Sequence, residues 1–248
     1  MRAVLRFIQI IYVVYAIIMF SVLMLFVIPC ALLTLVLDNR RGGILIYGAC
    51  RIWAILWYRL IGFRYKEQYQ GTHDRKKAYI FVANHSSYLD IPQLMRAMHQ
   101  PVRVLGKAEL AKVPFFGIIY KAAVITVDRG SIHSKAASLR RLTKVIRQGI
   151  SIFIFPEGSF NESGQPLARF YDGAFKMALE TNTPIKPVLF LDTADRIPPS
   201  SLFGMTPGKC RTVYLPEIPV TGYSDKEVGA LKEKVFSEME KALIKFKK

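Results

Sequence analysis

The run Asn84-His85-Ser86-Ser87-Tyr88-Leu89-Asp90 brings an imidazole and a carboxylate together in an H-x-x-x-x-D spacing. Histidine titrates near neutral pH, so its ring can take a proton from a hydroxyl as that oxygen attacks. A neighbouring carboxylate can keep the other ring nitrogen protonated and stabilise the imidazolium that forms. Taken alone, the spacing also fits a loop histidine and an unrelated turn carboxylate. A second cluster, Phe155-Pro156-Glu157-Gly158-Ser159, adds a glycine that lets backbone approach a ligand, with Glu and Ser able to bind hydroxyls or orient basic groups. By itself this is also an ordinary turn. No G-x-S-x-G elbow is present to supply an activated serine.

Both clusters follow apolar runs that read as buried strands. The first lead-in is Ala78-Tyr79-Ile80-Phe81-Val82-Ala83, and further runs of the same kind cover 102–105, 123–127, 150–155 and 185–191. Helical patterns at 89–98, 114–122, 133–148 and 173–181 separate them, and Ser224-Asp225-Lys226-Glu227 reads as a capping box before a last helix. This alternation predicts an α/β fold with a mainly parallel central sheet flanked by helices. The polar clusters then fall at the carboxyl ends of strands, where open α/β sheets place their ligand sites.

The part of the chain before residue 67 is different. No charged residue occurs from Phe7 to Leu37, and roughly 20 such residues cross a bilayer core. The stretch is too long for a signal peptide and lacks a small-residue cleavage site. Arg2 and Arg6 precede it and Arg40 and Arg41 follow it, which fits a hairpin with both ends cytoplasmic, or a single tilted span. From Ile44 to Phe63, Trp53 and Trp57 fall one turn apart and opposite Arg51, the pattern of an amphipathic helix lying in the interface. The expected division is therefore 1–66, a membrane-associated helical segment that anchors without building the site, and 67–248, the catalytic body.

Charge points the same way. Lys and Arg number 35 against 18 Asp and Glu, a net charge of +17 on a chain that is 52% hydrophobic. That combination suits an anionic lipid surface. Nucleic acid is not expected as a partner, because no zinc-finger spacing, RNP-like motif or long basic tract occurs. Cys30, Cys50 and Cys210 form no CxxC pair and read as buried apolar residues, with no metal site. Gly204 to Lys209 resembles a phosphate loop but is too short, and Cys210 stands where Ser or Thr would hold magnesium.

Together these residues resemble the glycerolipid acyltransferases of the lysophospholipid acyltransferase superfamily. Asn84-His85 through Asp90 is similar to that family's NHx4D block. Lys107, Val113-Pro114-Phe115-Phe116-Gly117 and Asp128-Arg129-Gly130 resemble its second block. Phe155 to Ser159 resembles FPEG(T/S), and Pro184 to Val188 its fourth block, so the likeness covers about residues 79–189. It implies transfer of a fatty acyl group from acyl-CoA or acyl carrier protein to a lysolipid hydroxyl, with no further cofactor. The implied acceptor is 1-acylglycerol-3-phosphate, giving phosphatidic acid. His85 would be the general base and Asp90 its partner. Lys107, Arg129 and Arg169 would hold an anionic acceptor, and Glu157, Gly158 and Ser159 would shape its pocket. With the basic flanks of the apolar run, the expected location is a membrane, with the catalytic domain on the cytoplasmic face. Phe160 stands where the family carries an Arg associated with acceptor phosphate, which leaves a lyso-aminolipid of the ornithine or glycine type as an alternative acceptor. A lipid hydrolase and a non-catalytic membrane-binding protein are the other readings.

Overall fold

A computed structural model describes residues 2–128 and 130–247. Two long helices come first, α1 (Arg2–Leu33) and α2 (Asn39–Leu60), then strands β1 (Phe63–Tyr69) and β2 (Ile80–Ala83). Helix α3 (Asp90–Ala97), β3 (Val102–Lys107), α4 (Phe116–Ala123), β4 (Val124–Val127), α5 (Ile132–Ile146) and β5 (Ser151–Ile154) follow. The chain ends with α6 (Gly173–Glu180), β6 (Ile185–Phe190), the short α7 (Thr193–Arg196), β7 (Gly208–Tyr214) and α8 (Val228–Lys247).

The strands form one seven-stranded sheet in the order β1-β7-β6-β2-β5-β3-β4. From β6 to β4 every neighbouring pair is parallel; β7 runs antiparallel to β6 and pairs in parallel with β1. The expected parallel sheet is therefore present, extended by a reversed pair whose charged sequences, FRYKEQY and GKCRTVY, hide their strand character. The capping box is formed as well: Ser224 and Glu227 bond reciprocally at the turn that leads into α8.

Alternation along β2 sorts the core into two layers. Ile80 and Val82 point toward α5, α6 and α8, where they pack with Leu142, Phe175 and Leu231. Phe81 and Ala83 point the other way, against Ile46, Trp53 and Leu94 of α2 and α3 and Val27 of α1. Both faces of β2 are thus dry, and its end is held rigidly between them.

At the front end the apolar run follows the single-helix alternative, whereas the tryptophans depart from expectation. Helix α1 is continuous through Pro29 and does not fold back within Phe7–Leu37; at about 1.5 Å per residue its 32 residues reach about 48 Å. The reversal comes after it, where Asp38 caps α2 by accepting from Arg40 N and Arg41 N. The tryptophans of α2 do not face outward. Trp53 and Trp57 are buried, donate their indole N–H groups to Phe20 O and Ala16 O of α1, and hold Phe20 edge-on between them. A helix-facing carbonyl serves an indole as well as interfacial water does, so the wheel pattern alone does not distinguish the two. Residue 66 also lies inside β1, so the sequence-based boundary cuts a strand of the sheet.

Candidate active site

Strand β2 delivers Asn84 and His85 to the carboxyl edge of the sheet. Asn84 is buried, and its amide donates to Phe190 O at 2.9 Å while accepting from Phe190 N at 2.8 Å. That pair of bonds mimics one more step of the β2–β6 ladder and fixes where the next residue emerges. A tight turn follows: Ser87 Oγ accepts from Leu89 N and donates to Ile197 O, and Asp90 opens α3.

The turn folds Asp90 back under His85. His85 Nδ1 lies 2.8 Å from Asp90 Oδ2, and the same oxygen accepts from Ser86 N at 2.7 Å and Ser87 N at 2.9 Å. Two backbone N–H groups aimed at one oxygen define Asp90 as a carboxylate acceptor, so the proton of the third bond belongs to Nδ1 of the ring. Nε2 then carries the free lone pair and, among the described residues, bonds to nothing. Asp90 is fully buried, whereas His85 remains partly exposed. A base held in one tautomer with its reactive nitrogen open is the arrangement that general-base catalysis on a hydroxyl requires.

Phe155 stacks on the imidazole with centroids 4.0 Å apart, and Phe160 meets it edge-on at 4.5 Å. Tyr88 packs on the far side of Phe160 at 4.7 Å. The imidazole is thereby held in one plane, and water has limited access to it.

Glu157 ties two loops of the site together. It is buried, Oε1 accepts from His85 N and Oε2 from Ala168 N, both at 2.7 Å. The carboxylate clamps the backbone of His85 to the loop after β5. Burial raises its pKa to about 7, against the lowering effect of the two amide bonds and with a further push from Asp90. Asn161 N adds another tie by donating to His85 O at 2.7 Å.

Gly158 takes φ +74°, and a Cβ there would come within 2.8 Å of the Tyr171 ring, so both backbone and space require glycine. Ser159 and Arg169 are exposed. Lys107 ends β3 on the same edge of the sheet, half exposed, with its ammonium 3.7 Å from Glu109. The structure thus gathers His85, Asp90 and Glu157 into one bonded unit, and it records no bond from Lys107 or Arg169 to that unit. Arg129 lies outside the described residues. Cys210 is fully buried, and burial pushes its thiol up to about 12, the environment of a structural cysteine.

A family model described as Acyltransferase matches residues 64–191, just over half of the chain, and takes in the dyad and the Phe155–Ser159 turn. This chain belongs to the acyltransferase family. Among its relatives, a 1-acyl-sn-glycerol-3-phosphate acyltransferase of Borreliella burgdorferi is 38% identical over 120 residues, 48% of each chain. One of the same name from Haemophilus influenzae is 27% identical over 226 residues, 90% of this chain and 92% of that one. The chain thus spans about half the length of the Borreliella relative and nearly all of the Haemophilus one. The crystal structure of PlsC, the 1-acyl-sn-glycerophosphate acyltransferase of Thermotoga maritima, superposes over 100% of this chain and 98% of that one with a TM-score of 0.76. At 19% identity that likeness establishes a shared fold.

For an acyltransferase, the residues that sequence reasoning missed are those that position rather than react. Asn84 is part of the motif, yet its bond to β6 cannot be read without the sheet order. Phe155 and Phe160 flank the imidazole only because the β5 loop crosses the end of β2.

Proposed function

We propose that this acyltransferase moves a fatty acyl group from a thioester, acyl-CoA or acyl carrier protein, to the free hydroxyl of 1-acylglycerol-3-phosphate, yielding phosphatidic acid. The 2.8 Å bond from His85 Nδ1 to Asp90 Oδ2 carries the reading, because it leaves Nε2 as an oriented base at the open edge of the sheet. His85 would take the hydroxyl proton as the oxygen attacks the thioester carbonyl, and Asp90 would stabilise the imidazolium. The thiol departs as the tetrahedral intermediate collapses and recovers the proton from His85. Lys107 ends β3 on the same sheet edge and is a cationic group suited to a phosphate; Arg129 and Arg169 are further candidates from the sequence. The names carried by the Borreliella and Haemophilus relatives support this acceptor.

The working location is a membrane. One helix, Val4–Leu33, is long and apolar enough to cross a bilayer, and its outward face exposes Phe7, Ile11, Ile18, Leu25 and Phe26. Anionic lipid suits the net charge of +17, and the flanking Arg40 and Arg41 favour the cytoplasmic face.

A second reading rests on Phe160. Its ring packs edge-on against His85 and puts an apolar group beside the base where the resembling family carries an Arg, and this favours a lysolipid whose headgroup is not a phosphate monoester, such as a lyso-aminolipid. Incubating detergent-solubilised protein with labelled acyl-CoA or acyl carrier protein and each lysolipid tests both readings. Acylation of lysophosphatidic acid, abolished by His85→Ala, supports the first. Acylation of the aminolipid alone transfers the case to the second, and release of free fatty acid alone would indicate a hydrolase.

A further inference from the structure

Beyond β3 the chain makes a turn that the catalytic reading does not use. Phe116 N donates to Pro114 O at 2.6 Å, spanning Phe115 at φ 59° and ψ −54°. This is a γ-turn of the rare, strained kind, and a bulky residue at its centre departs further from what the backbone prefers. The strain is built in by the neighbouring contacts. Gly117 N donates to Val113 O at 2.7 Å, and a Cβ on Gly117 would lie 2.4 Å from Ala111 O, so α4 is pressed directly onto the 3-10 turn Ala108–Lys112.

What the strained turn displays is apolar. The Phe115 side chain is 70% exposed, and Leu110, Val113 and Ile118 are exposed around it. Exposed Lys107, Lys112 and Lys121 rim the knob. The other side of α4 buries Ile119 and Tyr120, and the helix packs against α1 and α2. The helix that carries the knob therefore neighbours α1, whose exposed residues are largely apolar. It also follows β3 at the carboxyl edge of the sheet, the edge at which His85 leaves β2.

An exposed phenylalanine gains nothing in water, and a strained turn that holds it there is unfavourable twice over. Both are offset if the ring enters lipid. We propose that Phe115 is a docking wedge that enters the interfacial layer of an anionic bilayer next to the catalytic edge, with the surrounding lysines on the headgroups. The lysine rim and the net charge of +17 select an anionic leaflet, and the packing of α4 against α1, a helix long and apolar enough to cross a bilayer, selects a bilayer over an isolated ligand. This rests on the reading that the acceptor is membrane-borne. It goes further by assigning the surface through which the site meets that membrane.

Phe115→Trp places a fluorophore at the tip, and Phe115→Gly relaxes the turn while removing the ring. With vesicles of equal parts phosphatidylglycerol and phosphatidylcholine, the emission added by Phe115→Trp over the wild-type background of Trp53 and Trp57 should be quenched by brominated lipid. Phe115→Gly should keep the wild-type thermal midpoint and its kcat on a short-chain, water-soluble lysolipid. On lysolipid carried in the vesicles it should lose about tenfold in kcat/KM, the effect of removing one buried aromatic. Unquenched added emission, or equal losses on the soluble and vesicle-borne acceptors, would overturn the assignment. So would lipid-free self-association that Phe115→Gly abolishes, which would make a second copy the occupant. Quenching in a protein that acylates neither acceptor would still support the docking while removing the catalytic reading.

Discussion

One oxygen of Asp90 receives the imidazole N–H and two backbone N–H groups, and the division of labour in the dyad follows from that convergence. Asp90→Asn removes the orienting charge, and wherever its amide N–H₂ faces Nδ1 the ring is also driven to the wrong tautomer. Turnover should fall by about 10²- to 10⁴-fold, nearly as far as for His85→Ala, with vesicle binding unchanged. Steady-state rates and co-sedimentation on the same preparations check this. Glu157 lends itself to a pH test. Its carboxyl titrates near 4.5 when unfolded and at about 7 in the folded protein, so the folded state holds the proton more tightly. The stabilisation is complete below about pH 4.5 and is lost as pH rises through about 7. Glu157→Gln removes the titrating group, so the stability difference between wild type and variant should shift against the wild type between about pH 4.5 and pH 7 and level off above. Thermal midpoints across that range measure it, and a pH-independent difference would mean that the carboxyl is not displaced. His85 and Asp90 were legible in the sequence because their spacing closes within one turn. The clamp by Glu157 was not, since it joins residues 72 apart that meet only after β2 and β5 pair.

At the scale of elements, the pairing of α1 with α2 changes what the front end does. Val13 and Ala16 of α1 pack with Trp57 and Tyr58 of α2, and Trp53 shares a cluster with Phe81 and Phe153 of the sheet. Removing residues before Asp38 would uncover both tryptophans. The truncated protein should therefore lose stability as well as membrane binding, even in detergent. Trp57→Ala alone should cost about 3–5 kcal/mol, the usual range for a buried aromatic, measured by denaturant unfolding of solubilised protein. A truncated protein with wild-type stability would restore the simpler picture of a detachable anchor. The parallel strands were readable from the sequence as uncharged apolar runs buried on both faces. β1 and β7 were not, because Arg64, Lys66 and Glu67 or Lys209 and Arg211 interrupt them; these side chains are exposed or half-buried in the structure, so the charges are tolerated without marking the strands as apolar runs.

For the whole molecule, two forces act on the same surface and should separate with salt. Charge attraction between +17 and an anionic leaflet is screened within about 8–10 Å at physiological ionic strength, whereas burial of the apolar face of α1 is not. Vesicle binding should weaken with added salt for phosphatidylglycerol-rich vesicles and retain a salt-resistant fraction, which the α1 truncation should lose. Flotation over a salt series reads both components. Complete release by salt would mean that α1 is not in contact with lipid.

The first residues of the chain make contact with some of the last. Gln9 Nε2 donates to Met205 O across 196 residues, and β1, starting at Phe63, finds its partner only when Gly208 to Tyr214 exist. During synthesis, then, a long apolar helix leaves the ribosome well before the protein surface that will cover part of it. It needs an apolar solvent in the meantime, and a bilayer is one. The front end is thus made well before the segments that complete it, so closure of this fold waits for Gly208 to Tyr214. A ribosome stalled before β7 would hold a chain already able to enter a membrane whose catalytic body still lacks its sheet edge.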